Sequence, residues 1–267
     1  DILTEYKKNN LEYTITALHV TSAFIPNEKV EPTRDEINKE YSRNKLDNFM
    51  HEELRSISYV SWKKQPSPLD SADTKYLANE IIQKAISGEN FDSLANQYTM
   101  DPSNQGNKGG DLGWFKKGRM VKPFEEAAFE ASIGQIVGPI LSRFGYHIIR
   151  VRDKRIDGNG DNEILASHIL LKIDISPSTL ANLKRNATLF SYDALDFGFS
   201  AAVKTYNQNI FKAQKLKSDA FAVKGLGNFR ALVRFAFNNE LNSISDVFEN
   251  NQYYALCVLD SIIPAGV

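Results

Sequence analysis

The stretch from Gly109 to Phe129, GGDLGWFKKGRMVKPFEEAAF, has the residue types to enclose an apolar group. Two glycines come first, followed by Leu-Gly-Trp-Phe, a basic tip, and then Met, Phe and Ala at helical spacing. The stretch holds no nucleophile, no metal-binding cluster and no phosphate-binding loop. We therefore expect it to shape an apolar hollow.

Helices and strands around this stretch must position it. An apolar stripe through Leu77, Ile81 and Ala85 predicts a helix that ends at Gly88. FDSLANQY predicts a second short helix, and KPFEEAAFEA predicts a third that opens with a proline. RSISYVSW predicts a strand before the helices, and GPILSRFGYHIIRVR predicts a hairpin after them. This order indicates an antiparallel α+β unit.

The first 52 residues are predicted to be a separate segment. EPTRDEINKEYSRNKLDNF is typical of a helix, with Thr33 and Glu36 forming a capping box. Tyr13 and Ile15 belong to an alternating pattern that predicts a strand. Because the chain begins with Asp1 rather than Met, we expect a processed fragment, whose signal peptide or anchor would lie outside it.

Composition limits the classes of function. The 267 residues include 32 Lys and Arg and 33 Asp and Glu, and this balance argues against a nucleic-acid binder. The chain has no apolar run of the roughly 18 residues needed to span a bilayer. The single cysteine, Cys257, lies in the apolar run YYALCVL and is predicted to be a buried strand residue.

The charged, glycine-rich segment at residues 154–162 is predicted to be a linker. Asp157, Asn159 and Asp161 resemble the start of a calcium loop, but Asn162 and His168 stand where that loop needs Gly and Glu. We therefore predict no metal there.

Segments beyond the linker repeat the earlier pattern. Phe129 and Phe237 stand 108 residues apart in similar helical stretches, and so do Ile136 and Ile244. This spacing predicts an internal duplication whose second copy has diverged.

Several motifs in one order carry a family resemblance. Asp101, followed by GGDLGWF, MVKPFEEAAF, GQIVGPI and FGYHIIRV, resembles the parvulin-type peptidyl-prolyl isomerases over about Arg55 to Arg152. PTRDEINKEYSRN followed by two modules is similar to the PpiD- and SurA-like periplasmic folding factors. The resemblance implies the tail of a chaperone domain at residues 1–52, a parvulin domain at 53–153 and a degenerate parvulin-like domain at 163–267.

The resemblance also implies an apolar cup for the proline ring. Leu112, Met120 and Phe124 would form three sides of this cup, and Phe144 would close it. Gly109 and Gly110 would let the chain turn tightly before Leu112.

The polar residues implied by the family are His147, Asp101 and Ser142. His147 would lie beneath the cup, and Asp101 would lie near the substrate carbonyl. The family's first strand carries a second histidine, and in this sequence Ser58 stands in its place. Since a hydroxyl cannot reproduce an imidazole, we expect a weak isomerase.

The second module is expected to lack isomerase activity. Its ASHILLKI keeps a strand histidine, His168, which we interpret as structural. Its last strand offers Tyr253, Tyr254 or Ala255 where His147 stands in the first module. GLGNF also lacks the character of DLGWF.

The implied function is cis-trans isomerisation of Xaa-Pro bonds in unfolded or partly folded polypeptides outside the cytoplasm. The full-length protein could be anchored to the inner membrane. An enzyme of this type needs no cofactor or metal, because it only has to bind the twisted amide better than the planar one. The alternative is a chaperone or peptide-binding module with little or no isomerase activity. A phosphate-directed isomerase has only Lys63 and Lys64 as candidate ligands, which we interpret as a solvated pair.

Overall fold

The computed structural model describes residues 1–10, 16–19, 21 and 31–266. One unit consists of Asp1–Glu52 with Pro264–Val267, and the other of Glu53–Ile263. The N-terminal unit contains α1 (Ile2–Asn10) and α2 (Arg34–Asn48).

The capping box predicted before α2 is confirmed. The Thr33 hydroxyl oxygen accepts the backbone N–H of Glu36, and the Glu36 carboxylate accepts the backbone N–H of Thr33. The strand predicted from Tyr13 and Ile15 falls outside the described residues.

Residues 53–263 are described throughout, and this part of the chain contains six further α-helices and ten strands. The helices are α3 (Pro68–Ile86), α4 (Phe91–Tyr98), α5 (Lys122–Glu130), α6 (Pro177–Phe197), α7 (Phe199–Thr205) and α8 (Arg230–Asn238). The strands are β1 (Leu54–Lys63), β2 (Asp111–Lys116), β3 (Ile136–Ser142), β4 (Gly145–Ile156), β5 (Asn162–Leu171), β6 (Phe211–Leu216), β7 (Ala222–Val223), β8 (Gly227–Asn228), β9 (Phe248–Glu249) and β10 (Tyr253–Ile263).

The strands form two four-stranded sheets and one two-stranded ribbon. The order of one sheet is β2-β5-β4-β3, and we call this sheet with α3, α4 and α5 the first layer. The order of the other is β6-β1-β10-β9, and this sheet with α6, α7 and α8 is the second layer. All the strand pairs are antiparallel, so the predicted α+β class is confirmed.

The strand pairing cuts across the predicted domain boundaries. β1 pairs with β10 and β6, so it belongs to the second layer. β5 pairs with β4 and β2, so it belongs to the first layer. The first layer therefore takes its elements from about residues 64–176, and the second takes β1 together with about residues 177–263. This corrects the predicted domains at 53–153 and 163–267.

A tight hairpin between β4 and β5 is the physical reason why β5, rather than β1, belongs to the first sheet. β4 pairs antiparallel with β5 along its length, from Ile156 opposite Asn162 to Tyr146 opposite Leu171, with one shift in register between Val151 and Asp153. The Asp157 carboxylate accepts the backbone N–H groups of Asn159 and Asp161 at 2.9 Å each, which closes the turn. Because pairing adjacent strands costs little loop entropy, the segment predicted to be a linker forms a hairpin instead.

Both faces of the first sheet are covered. α3 and α4 pack on one face through a cluster that includes Ile81, Leu94 and Ile148. α5 packs on the other face, where Phe124 and Ala128 contact the residues around Ile149. In the described part of the chain, no helix has the length and the apolar character to cross a membrane.

Candidate functional site

A cleft of about 620 Å³ opens on the α5 side of the first layer. All four predicted cup residues line it, together with two of the predicted polar residues, His147 and Asp101. The complete lining consists of Asp101, Pro102, Leu112, Arg119, Met120, Val121, Phe124, Arg143, Phe144, His147, His168, Leu170 and Lys172.

The apolar walls come from three different elements. Leu112 lies on β2, Met120 just before α5, and Phe124 in the first turn of α5. Phe124 is buried, and its ring meets the His147 ring edge-on at 5.2 Å between centroids. Phe144, in the turn between β3 and β4, remains 49% exposed, so this side of the cleft is open to a ligand.

Gly110 allows the loop before β2 to approach the floor of the cleft. Its φ of +71° lies in the left-handed region, and a Cβ at this position would lie 2.1 Å from the carbonyl oxygen of His168. The carbonyl of Gly110 accepts the backbone N–H of His168 at 2.9 Å. The predicted tight turn at Gly109 has a φ of +65°.

Four polar side chains form one hydrogen-bonded chain beneath the apolar walls. Ser142 Oγ lies 2.7 Å from His147 Nε2. His147 Nδ1 lies 3.4 Å from His168 Nδ1, and His168 Nε2 lies 2.6 Å from Asp101 Oδ2. The two imidazole rings stack at an interplanar angle of 22°. The structure therefore brings together Ser142, His147 and Asp101, and adds His168 between them.

The donor and the acceptor of each hydrogen bond in this series can be assigned by starting from Asp101. An ionised carboxylate only accepts, so His168 Nε2–H donates to Asp101, and the Nδ1 of the neutral ring accepts. His147 Nδ1–H then donates to His168, which leaves His147 Nε2 to accept the hydroxyl of Ser142. Both histidines are neutral in this arrangement, and each of their ring nitrogens has a partner.

The pKa shifts agree with neutral imidazoles. Burial, with a smaller contribution from the nearby His168, lowers the pKa of His147 to about 4. Burial also lowers the pKa of His168, although the hydrogen bond to Asp101 acts in the opposite direction. The floor of the cleft is therefore uncharged at neutral pH except for Asp101.

Asp101 is held by both of its carboxylate oxygens. Oδ2 accepts from His168, and Oδ1 accepts the backbone N–H of Ser103 at 2.8 Å, which caps a short 3₁₀ turn. Burial raises the pKa of Asp101, but the hydrogen bonds from Ser103 and His168 together lower it further, so that its pKa is below the usual value.

Ser58 does not join the site, which corrects the sequence prediction. It is buried in β1 of the second layer, where its hydroxyl donates to the Asp260 carboxylate. His168 lies on β5 of the first layer, next to His147, and supplies the second histidine of the site, so the structural role predicted for it in a second module is wrong. The sequence motif ASHIL is typical of the family's strand histidine. Because this strand follows the first module along the chain, the sequence predicts it in the second module, whereas it pairs in the first sheet.

Comparisons with known proteins identify the type of domain that contains this cleft. A family profile described as a PPIC-type PPIase domain matches residues 34–155. The chain contains a peptidyl-prolyl isomerase domain of this type. The predicted parvulin resemblance is thereby confirmed. The PPIC-type match ends before β5 and so leaves out His168.

The curated relatives carry the name foldase. The foldase protein PrsA of Geobacillus sp. (strain WCH70) is 52% identical over 77 residues, which cover 29% of this chain and 28% of that protein. The foldase protein PrsA of Bacillus subtilis (strain 168) is 39% identical over 97 residues, 36% of this chain and 32% of that protein. The alignments thus span less than a third of either relative. A crystal structure of a peptidylprolyl isomerase (PrsA) from Bacillus anthracis is 24% identical over 66% of each chain, with a TM-score of 0.25.

Proposed function

We propose that this chain catalyses cis-trans isomerisation of Xaa-Pro bonds in unfolded or partly folded polypeptides. The observation that carries the proposal is the neutral pair His147 and His168, bonded to Asp101 and Ser142, directly beneath an open apolar cleft. The PPIC-type match over residues 34–155 supports the same activity.

The proline ring would fill the cup formed by Leu112, Met120 and Phe124. Rotation about the amide faces a barrier of roughly 18–20 kcal/mol, because the amide loses resonance in its twisted state. The twisted amide is less dipolar than the planar one, so a water-poor apolar cup favours it relative to water. The polar chain fixes the rings beneath the cup, so that the floor does not have to reorganise during rotation.

Exchange spectroscopy on the peptide Ala-Leu-Pro-Phe tests this activity. We expect the full chain to accelerate exchange, and Phe144→Ala to reduce kcat/KM by about tenfold, the equivalent of losing roughly 1.4 kcal/mol of apolar contact. Phe144 is 49% exposed, so its removal should leave the fold intact. Phe221→Ala in the second layer, where the ring is 70% exposed, is the matched control and should change nothing. Peptide binding without acceleration would leave only the chaperone function.

The alternative of a binding module with little or no activity loses its main argument in this structure. That argument was the absence of the second family histidine, for which Ser58 was the substitute. His168 supplies an imidazole 3.4 Å from His147, so we expect an ordinary rather than a weakened site.

We further propose that the second layer is a degenerate parvulin-like module without isomerase activity. Tyr59 stands opposite Cys257 there, as His168 stands opposite Ile149 in the first layer, and Ile149 and Cys257 are 108 residues apart. By the same spacing, Ala255 takes the place of His147. These equivalences support a duplicated origin and explain why the second layer would lack activity.

We propose that the protein acts outside the cytoplasm, as the naming of its relatives as foldases and the PpiD- and SurA-like pattern suggest. Membrane anchoring of the full-length protein and a chaperone role for residues 1–52 belong to the same proposal. The near balance of 32 basic and 33 acidic residues supports a polypeptide partner rather than nucleic acid. Cell fractionation with an antibody against residues 53–263 tests the location.

A further inference from the structure

The outer face of α6 carries apolar side chains where a surface helix is ordinarily polar. α6 packs on the second sheet through Ala187, Phe190 and Ala194, which are fully buried. Because successive residues of an α-helix are turned by about 100°, Leu189 and Tyr192 point away from that core. Leu189 is 47% exposed and Tyr192 is 61% exposed. Apolar side chains that share the solvent face of a helix mark a surface for a partner.

Two charged residues flank these apolar side chains along the same face. Arg185 lies four residues before Leu189, and Asp196 lies four residues after Tyr192. The four residues lie within about 60° of one another around the helix axis and extend about 17 Å along it. We call these four residues the α6 stripe.

The two charges of the α6 stripe are available to a partner. Arg185 and Asp196 are both exposed. Neither of them forms an ion pair within 4.0 Å in the part of the chain that the structure describes. Leu195 and Phe197, which are 58% and 73% exposed, extend the apolar surface to the two sides of the stripe.

The α6 stripe is complementary to its own reversed copy. Its spacings of four, three and four residues are the same when read from either end. In an antiparallel pair of α6 helices, Arg185 therefore faces Asp196 and Leu189 faces Tyr192. Each contact occurs twice, as in any interface with two-fold symmetry. A parallel pair would instead place like charges opposite each other.

We propose that α6 is a self-association surface, through which two copies of this chain pair antiparallel along the α6 stripe. Leu189 and Tyr192 of both copies form the apolar centre, and an ion pair of Arg185 with Asp196 lies at each end. One helix pair buries less than the roughly 1,200–2,000 Å² of a standard interface, so the dimer is weak and depends on concentration. The inference is separate from the proposed function, because no residue of α6 lines the cleft.

Sedimentation equilibrium of the full chain tests the association. We expect the average mass to rise from that of one chain toward that of two between ~10 μM and ~1 mM, the range of a weak interface. The rise should be smaller at high salt, because salt screens the exposed ion pairs. A chain that stays monomeric throughout this range overturns the inference.

Charge reversal tests the antiparallel arrangement. Arg185→Glu and Asp196→Arg should each raise the dissociation constant by at least about tenfold, because both end contacts become repulsive. A mixture of the two variants should associate as tightly as the wild-type chain, since each end contact of the mixed pair again joins unlike charges. Lys184→Glu, at an exposed position of α6 beside the stripe, is the matched control and should keep the wild-type dissociation constant.

Removal of the apolar centre should abolish the dimer. The double variant Leu189→Ser with Tyr192→Ser changes exposed side chains, so circular dichroism should show an intact fold while the chain stays monomeric. Phe221→Ser, at a 70% exposed position outside α6, should associate like the wild-type chain. Association that persists in the double variant, or mixed charge variants that fail to associate, would overturn the inference. None of these measurements depends on isomerase activity, so the proposed function is decided separately.

Discussion

The two layers of residues 53–263 are built from similar elements, but one contains an open cleft and the other a closed core. In the first layer, α5 and the sheet leave a cleft above two buried histidines. In the second layer, α8 packs on the sheet over a buried apolar core. Leu226 and Leu232 are at most 1% exposed there, and the hydroxyl of Tyr59 donates to the carbonyl of Lys224 at 2.6 Å.

The difference lies in a few side chains at matching positions. Leu232 stands 108 residues after Phe124, and Ala255 stands 108 residues after His147. The Tyr59 side chain packs closely against the segment before α8, because a Cβ on Gly225 would lie 2.5 Å from its oxygen. If the two layers share an origin, as proposed above, the centre of such a layer holds imidazoles where it forms a site and a tyrosine where it forms solid core.

The largest expected effect comes from cutting the chain at different boundaries. A fragment of residues 53–155 keeps β1 but lacks β5, the strand between β2 and β4 in the first sheet. We expect it to be unfolded by circular dichroism and to have no isomerase activity. A fragment of residues 64–176 contains all four strands of that sheet, and we expect it to fold and to catalyse exchange. If residues 53–155 fold and catalyse exchange and residues 64–176 do not, β1 rather than β5 would belong to the first sheet.

Smaller effects are expected from single substitutions, which should change activity in the cleft and stability in the core of the second layer. Met120→Ala removes a half-buried wall of the cleft, and we expect kcat/KM to fall about tenfold, with a small change in stability. Leu226→Ala removes a fully buried side chain in the second layer and should lower the free energy of unfolding by about 2–5 kcal/mol. At temperatures where this variant is folded, its kcat/KM should be unchanged. Loss of activity in folded Leu226→Ala protein would mean that the second layer takes part in catalysis.

The pH dependence of stability should come partly from the first layer. The pKa of His147 is lowered to about 4 in the folded chain, and that of His168 is also lowered, whereas free histidine titrates near pH 6.5. The unfolded chain therefore binds more protons between these values. The free energy of unfolding should fall as pH decreases from about 6.5 to 4, and this contribution should be fully present above pH 6.5.

Urea unfolding at a series of pH values measures this effect. We expect the slope between pH 6.5 and 4 to become smaller in His147→Gln, because glutamine does not titrate. Catalysis should be constant down to about pH 5 and then decrease, since a protonated His147 cannot accept the Ser142 hydroxyl. An unchanged slope in His147→Gln would contradict the assignment of a depressed pKa to this residue.

Local structure was predictable from the sequence because local interactions determine it. The capping box at Thr33 and the helix end near Gly88 follow from neighbours within a few positions. The cup residues Leu112, Met120 and Phe124 came from the family resemblance, and they line the cleft. The family motifs added His147, Asp101 and Ser142, which the structure brings together.

Strand pairing was not predictable in the same way. β1 and β5 are both apolar strands, each followed by a proline-opened helix, so either could fit either sheet. The deciding interaction is the hairpin closed by Asp157, which was interpreted as a linker because of its charge and glycine content. Because the pairing of β5 with β4 was not predicted, Ser58 was wrongly placed in the site and His168 was left out of it.

Exchange spectroscopy on His168→Ala and Ser58→Ala tests the central point most directly. If β5 completes the site, His168→Ala should lower kcat/KM for Ala-Leu-Pro-Phe by at least about tenfold, because His147 and Asp101 lose the group that connects them. Ser58→Ala should retain the wild-type rate in folded protein. Full activity in His168→Ala, together with a large loss in Ser58→Ala, would contradict the account.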